Sequence, residues 1–482
     1  MKNYPSSCIL LAALVTIVCT SVFAAERPNI VVFLCDDLGY GDLECYGHPH
    51  IKTPHLNKLA AEGIRFTDCY STAPVCSPSR VGLLTGRSPN RAGVYDWIPP
   101  GNKPRPDARE QVHLRRSETT IAQLLKDAGY ATCVSGKWHC NAQFNAASQP
   151  QPGDAGFDHW MATQNNAAPS HRNPVNYVRN GKPVGKLEGY SCNLAVAEAE
   201  RWLEALTKAD PEQPFFLFVP FHEPHEPVAS PEDLVAQYRD VAKSEKQAEY
   251  FANVANVDRA VGSLMAKLKA LDRDQNTLVI FTSDNGPETL SRYIRADRSF
   301  GVATPLRGMK LWTTDAGFRV AGIMRWPKGI MPGQTVNTPV SALDFLPTFA
   351  ALGEAKVPDA LALDGMDVRA LLSGDEITRE KPLFWVFFNA INEQRVAMRD
   401  GDFKVLAKVD LPKMQNVHAG VAEKVRNATL SEVAIFNIRE DIDESENLAG
   451  KDAAQTKAFT EKLTKMYREL TADSHVWTPV GK

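Results

Sequence analysis

Pro28-Asn29-Ile30-Val31-Val32-Phe33-Leu34, followed by Cys35 and then Asp36-Asp37, is a short continuous apolar run rich in β-branched residues that ends in two carboxylates. An unbroken run of this length reads as a strand buried on both faces, as in a parallel sheet covered by helices. The pattern returns at Phe215-Phe216-Leu217-Phe218-Val219, followed by His222 and His225, and at Leu278-Val279-Ile280-Phe281-Thr282, followed by Asp284-Asn285-Gly286. Helical patterns lie between these runs, from His55 to Glu62 and Thr120 to Ala128, closed by Gly63 and Gly129, then from Asn193 to Thr207 and Glu245 to Leu271. Strands alternating with helices predict an α/β fold with a large, mostly parallel sheet flanked by helices. Ligands of such sheets gather at the carboxyl ends of the strands, where the three polar clusters fall.

The chain of 482 residues, 44% hydrophobic and 23% charged, has the composition of a globular protein too long for one typical domain. A helical pattern from Ser341 to Leu352 is followed, after Gly365 and Gly374, by short strand patterns: Leu383 to Phe388, Arg395 to Arg399, Phe403 to Leu406 and Ala434 to Ile438. Asp400-Gly401 marks a hairpin, and a last helical pattern runs from Ala454 to Leu470. We therefore expect a larger domain over 25–373 and a smaller C-terminal α+β domain over 374–482. Residues 1–24 read as a secretory signal peptide: Lys2, the apolar run Ile9 to Val22, and a cut after Val22-Phe23-Ala24. That predicts export, to the periplasm or beyond, with no membrane association after cleavage. A net charge of -3 without basic runs gives no reason to expect nucleic acid. Of nine cysteines, Cys8 and Cys19 fall in the signal. Cys35, Cys45, Cys69, Cys133, Cys140 and Cys192 could pair in an exported protein, with connectivity open. No Cys-x-x-Cys occurs, which argues against structural zinc.

Cys76-Ser77-Pro78-Ser79-Arg80, followed by Leu84-Thr85-Gly86-Arg87, carries the chemistry. Pro78 suits a first helical turn, the run from Ser79 to Leu84 can continue it, and the free N–H groups of a helix start attract anions. Four residues apart on one helical face, Cys76 and Arg80 can meet a single ligand. A tyrosine-phosphatase loop would need five residues between cysteine and arginine, and here there are three. Asp36, Asp37, Asp284 and Asn285, at two strand ends, supply the oxygen donors that a hard divalent cation requires. Calcium suits them better than magnesium, which demands stricter octahedral geometry and more water.

The stretch from Cys76 to Gly86 resembles the signature of the type I, formylglycine-dependent sulfatases of the alkaline-phosphatase-like superfamily, Cys-x-Pro-Ser-Arg-x-x-x-Leu-Thr-Gly, at every signature position. Gly136-Lys137-Trp138-His139 matches that family's Gly-Lys-Trp-His, although Cys140-Asn141 replaces the usual Leu-Gly. Pro224-His225-Glu226-Pro227 matches Pro-His-x-Pro, and Leu306-Arg307-Gly308-Met309-Lys310 matches Leu-Arg-Gly-x-Lys. Asp315-Ala316-Gly317 stands where Glu-Gly-Gly is common. Thr53-Pro54-His55-Leu56, Gly156-Phe157-Asp158, Phe436-Asn437-Ile438 and Glu446-Asn447-Leu448 extend the likeness over most of the chain.

The resemblance implies a sulfuric ester hydrolase whose Cys76 is oxidised to formylglycine by a maturation enzyme. It further implies one calcium ion held by Asp36, Asp37, Asp284, Asn285 and an oxygen derived from Cys76. Arg80, Lys137 and Lys310 would contact the sulfate, His139 would be the base that breaks down the intermediate, and His225, with Lys310, would serve the leaving group. A sulfated carbohydrate is the expected substrate, with small aryl sulfates as surrogates. His222 is a supporting or substrate-side residue, and Asp96, Trp97, His171, Arg172 and Tyr177 are candidate sugar contacts because polar and aromatic loop residues suit sugar faces and hydroxyls. Two other readings remain open at this point: a formylglycine-dependent phosphodiesterase or phosphonate hydrolase, and a non-catalytic glycan-binding homologue.

Overall fold

The computed structural model describes residues 27–101 and 103–478. The signal-peptide reading falls outside them. Eleven strands form the main sheet: β1 (Asn29–Asp36), β2 (Ile64–Tyr70), β3 (Ala131–Lys137), β4 (His159–Thr163), β5 (Val178–Arg179), β6 (Lys182–Pro183), β7 (Phe215–Pro224), β8 (Thr277–Ser283), β9 (Arg319–Arg325), β10 (Gln334–Val336) and β11 (Val340–Ser341). Their order is β10-β2-β9-β8-β1-β7-β3-β4-β5-β6, with β11 also on β2. The central strands β8, β1, β7, β3 and β4 run parallel, and β9 is antiparallel to both its neighbours. The mixed, mostly parallel sheet is thus the one the apolar runs imply.

Side-chain alternation explains why β1 is apolar throughout. Ile30, Val32 and Leu34 face a core closed by the helices Cys76–Thr85, Ile121–Asp127 and Phe345–Leu352, whereas Val31, Phe33 and Cys35 face one closed by Pro54–Ala61, Ser191–Ala209, Glu232–Tyr238 and Glu245–Ala270. Thr120 accepts from the Gln123 amide and Gln123 returns the bond, so the Ile121–Asp127 helix starts in a capping box. The pairing that export would allow is not formed: Cys35, Cys45, Cys69, Cys133, Cys140 and Cys192, like Cys76, are free. Most are buried among apolar side chains, where a thiol packs as a small hydrophobe.

The C-terminal strands β12 (Leu383–Val386), β13 (Val396–Asp400), β14 (Phe403–Val409) and β15 (Leu430–Asn437) form an antiparallel sheet, with a two-residue turn at Gly401-Asp402. One face carries the helix Ala453–Asp473 through Leu463, Tyr467 and Leu470. The other packs Trp385, Ala397, Leu406 and Phe436 onto Tyr70 and Phe318 of the main body. A buried polar cluster crosses the same seam. Asp315 accepts from Lys404 Nζ at 2.9 Å and Tyr70 Oη at 3.0 Å, and Glu444 Oε2 accepts the Asp315 amide at 2.8 Å.

Within that cluster the proton belongs on Glu444. Burial, then the charge of Asp315, pushes Glu444 up to about 8, while Lys404 and Arg319 outweigh burial and hold Asp315 down at about 2. The folded state therefore keeps a proton that the unfolded chain releases near the ordinary glutamate value. This contribution to stability is full below that value and is lost as pH rises through about 8. Glu444→Gln keeps the acceptor and cannot ionise. Urea denaturation at pH 5 and 8.5 is expected to show the parent losing stability relative to the variant, on the order of a few kcal/mol. Identical pH dependence in both proteins would contradict this assignment.

Candidate active site

Parallel pairing brings the polar strand ends together. Leu34 of β1 lies opposite Pro220 of β7, and Cys35 opposite Ser283 of β8, so Asp36-Asp37, the His222–His225 turn and Asp284-Asn285 meet at one edge of the sheet. β3 joins on the far side of β7 and delivers Lys137 and His139. Gly136 makes this approach possible: its φ is +137°, and a Cβ there would lie 1.9 Å from the Pro220 carbonyl oxygen. Asp37, His139 and Leu311 all have positive φ, the kind of backbone strain that collects at functional sites.

The helix Cys76–Thr85 starts at the cysteine itself, after extended Val75, and ends at Gly86 with φ +64°. It is buried along its whole length, and a Cβ on Gly82 would collide with Thr72 Oγ1 at 2.2 Å. Cys76 Sγ, Asp36, Asp37 and His225 place one ligand atom each within 4.8 Å of one another. Arg80 Nε and Nη2 lie 2.9 and 2.8 Å from Asp284 Oδ2, Nη2 lies 3.2 Å from Asp36 Oδ2, and Nη1 donates to the Lys137 carbonyl at 2.7 Å. Lys137 Nζ pairs with Asp36 and donates to Asn166 Oδ1 at 3.0 Å. Lys310 Nζ donates to Asp37 Oδ2 at 2.7 Å, and Asn285 Nδ2 to Asp37 Oδ1 at 2.8 Å.

Three carboxylates and three cations are thus packed together in one buried cluster. Burial works to raise Asp36, yet Lys137, His225, Arg80 and Lys310 outweigh it and hold this carboxyl well below its usual range. Asp284, by contrast, is pushed up to about 7 by burial and then by Asp36. Asp36 Oδ1 and Asn285 Oδ1 are buried with no hydrogen-bond donor, while Asp36 Oδ2 faces Lys137 and Arg80. Buried acceptors left without donors, crowded by like charge, fit a bound cation, and their all-oxygen chemistry fits a hard one.

The imidazoles are distinguishable by their bonds. His139 Nε2 is 3.0 Å from the Ile98 carbonyl, which requires the proton there and leaves buried Nδ1 as a lone pair. Burial, then Lys137 and Arg80, holds His139 well below the ordinary histidine range, so the ring is neutral. His225 donates from Nδ1 to the Glu226 carbonyl at 2.6 Å and turns Nε2 toward Asp37 Oδ2 at 3.5 Å. Burial and then Lys310 bring His225 down to about 4. The Cys76 thiol is pushed far up by burial and then Asp36, so it carries its proton and is a weak nucleophile as encoded.

A cavity of about 390 Å³ opens over Cys76, His139, His225 and Lys310. Trp97 lines it, as expected from its type, together with Asn165, Asn166, Arg292, Tyr293, Arg295, Leu311, Asn389 and Gln415, which the sequence reading did not single out. Four of the expected sugar contacts do not line this cavity. Asp96 is buried behind the wall, where Oδ1 accepts the Trp97 amide at 2.8 Å and Oδ2 accepts Asn389 Nδ2 at 2.9 Å. His171 and Tyr177 are buried against the His222 ring, at centroid distances of 6.5 and 5.7 Å. Arg172 is exposed outside the cavity. His222 is itself buried, with Nε2 2.7 Å from Thr163 Oγ1.

Relatives of this chain in sequence are named as sulfatases. The family model described as Sulfatase matches residues 28–355. Human (Homo sapiens) arylsulfatase A is 33% identical over 476 residues, covering 92% of this chain and 87% of its own. N-acetylgalactosamine-6-sulfatase of Rattus norvegicus is 33% identical over 397 residues, covering 80% and 72%. Among solved structures, Ps i-CgsB in complex with k-i-k-neocarrahexaose is 26% identical with a TM-score of 0.78, covering 94% of this chain and 95% of that one. With the signature helix, the crowded carboxylates and the flanking cations in one place, the chain belongs to the sulfatase family, with its alkaline-phosphatase-like fold, and is an enzyme that hydrolyses sulfate esters.

Proposed function

We propose that this sulfatase releases inorganic sulfate from a sulfated carbohydrate, using Cys76 matured to formylglycine by a dedicated oxidising enzyme, after export directed by residues 1–24. One calcium ion would be held by Asp36, Asp37, Asp284, Asn285 and the matured Cys76. The carrying observation is the convergence of Cys76, Asp36, Asp37 and His225 within 4.8 Å, ringed by Arg80, Lys137 and Lys310. Matured Cys76 would supply two hydroxyls on one carbon, one for attack on sulfur and one for expelling sulfate, and the cation would supply positive charge beside them.

The remaining work falls to encoded side chains. Arg80, Lys137 and Lys310 are already fixed by Asp284, Asn166 and Asp37, so they can stabilise charge on the transferring group without reorganising. His225 would protonate the leaving alcohol from Nε2, assisted by Lys310, since Nδ1 is committed to Glu226. An anionic ester bound beside this ring favours its protonated form. His139 would take a proton at Nδ1 in the release step, the nitrogen that its bond to Ile98 leaves free.

A carbohydrate is favoured by the Trp97 and Tyr293 rings and the amides of Asn165, Asn389 and Gln415 along the cavity. The relatives named for an N-acetylgalactosamine sulfate and holding a neocarrahexaose point the same way. Sulfate release from sulfated mono- and oligosaccharides and from 4-nitrophenyl sulfate, measured beside phosphate mono- and diesters, tests the reading. Sulfate esters are expected to lead in kcat/KM by about 100-fold or more. Preferred phosphate ester turnover would favour a phosphodiesterase or phosphonate hydrolase instead. Sugar binding with no turnover by matured protein would favour a glycan-binding role.

A further inference from the structure

The cations at the inner end of the cavity are matched, but the mouth is not. Arg292 sends Nε to Glu288 Oε1 at 2.6 Å, pairs Nη2 with the other carboxylate oxygen, and lies 5.1 Å from the Tyr293 ring centroid. Arg295, three residues on, is exposed and lines the same cavity, yet has no hydrogen bond or ion pair among the described residues. No carboxylate contributes to the described lining. An unneutralised guanidinium in a concave site whose lining holds no carboxylate raises the local concentration of anions. Its planar fork matches the paired oxygens of a carboxylate or a sulfate.

The other mouth residues are neutral and held in place. Asp96 accepts from Asn389 Nδ2, which leaves the Asn389 amide oxygen for a hydroxyl donor, and Arg109 stacks 5.5 Å from the Trp97 ring centroid. Amides and an anchored indole suit the hydroxyls and apolar face of a neutral sugar ring, whereas Arg295 suits a charge. Resting on the reading that the ester sulfate occupies the inner end, we propose that the mouth is an anion subsite. Arg295 selects saccharides that carry a second anionic group, a carboxylate or a further sulfate, on the unit next to the sulfated sugar.

Calorimetric binding to calcium-loaded protein in a Cys76→Ala background, where nothing is turned over, tests this. The probes are disaccharides sharing one sulfated sugar, with a neighbouring unit that is neutral, bears a carboxylate, or bears a second sulfate. Arg295→Ala is expected to weaken the doubly charged ligands about tenfold and leave the singly charged one unchanged, with Arg295→Lys in between. The carboxylate and sulfate arms show which anion is preferred. No preference for the doubly charged ligands, or equal changes for all three, overturns the proposal. Turnover of 4-nitrophenyl sulfate by the parent enzyme tests the inner-site reading separately, so the two can fail independently.

Discussion

Cys76→Ala protein is expected to fold normally and to hydrolyse sulfate esters more slowly by a factor on the order of 10⁴ or greater. The size of the effect follows from the absence of a substitute. The encoded thiol is 3% exposed and carries its proton, and the neighbouring Asp36, Asp37 and His225 are already engaged by Lys137, Lys310 and the Glu226 carbonyl. Structural cost is small by comparison, about 1 kcal/mol for trimming one buried sulfur, so circular dichroism and melting should stay close to the parent. Steady-state turnover of an aryl sulfate by both proteins is the measurement. Appreciable residual activity in the variant would remove Cys76 from the reaction.

Cation removal is expected to have the second largest effect. Asp36, Asp37 and Asp284 balance Arg80, Lys137 and Lys310 in formal charge, so a divalent ion would leave the site positive and ready for an anionic ester. Chelation should therefore cut kcat/KM by about 100-fold or more. It should also lower the melting temperature by a few degrees, since a ligand at 100 times its Kd contributes about 2.7 kcal/mol. Calcium is expected to restore both at lower concentration than magnesium, with one ion bound per chain by calorimetry. Full activity and an unchanged melting temperature after exhaustive chelation would refute the cation site.

The central strands could be read because β1, β7 and β8 are buried on both faces, which leaves an uninterrupted apolar signature ending in polar residues. Parallel register then makes those ends coincide, so the catalytic candidates were legible as a group. The cavity mouth was not. Arg292 and Arg295, Asn389, and Gln415 come from three separate loop segments with no periodic pattern, and only the packing of the small sheet against the main one brings them together. Residue type alone also did not place the loop residues. His171 and Tyr177 have the residue types of sugar contacts, but their loop folds inward and spends both rings on His222. Asp96 looks like a hydroxyl acceptor and instead holds Trp97 and Asn389 from behind. A single chain carries no signal that separates a loop facing a cavity from one facing the core.

Peptide mass spectrometry of active enzyme, focused on the fragment containing Cys76, tests the formylglycine mechanism most directly. Conversion of the thiol to the aldehyde lowers the fragment mass by about 18 daltons, and the fraction converted should track specific activity across preparations. Enzyme that turns over sulfate esters at full rate with Cys76 wholly unmodified would contradict it.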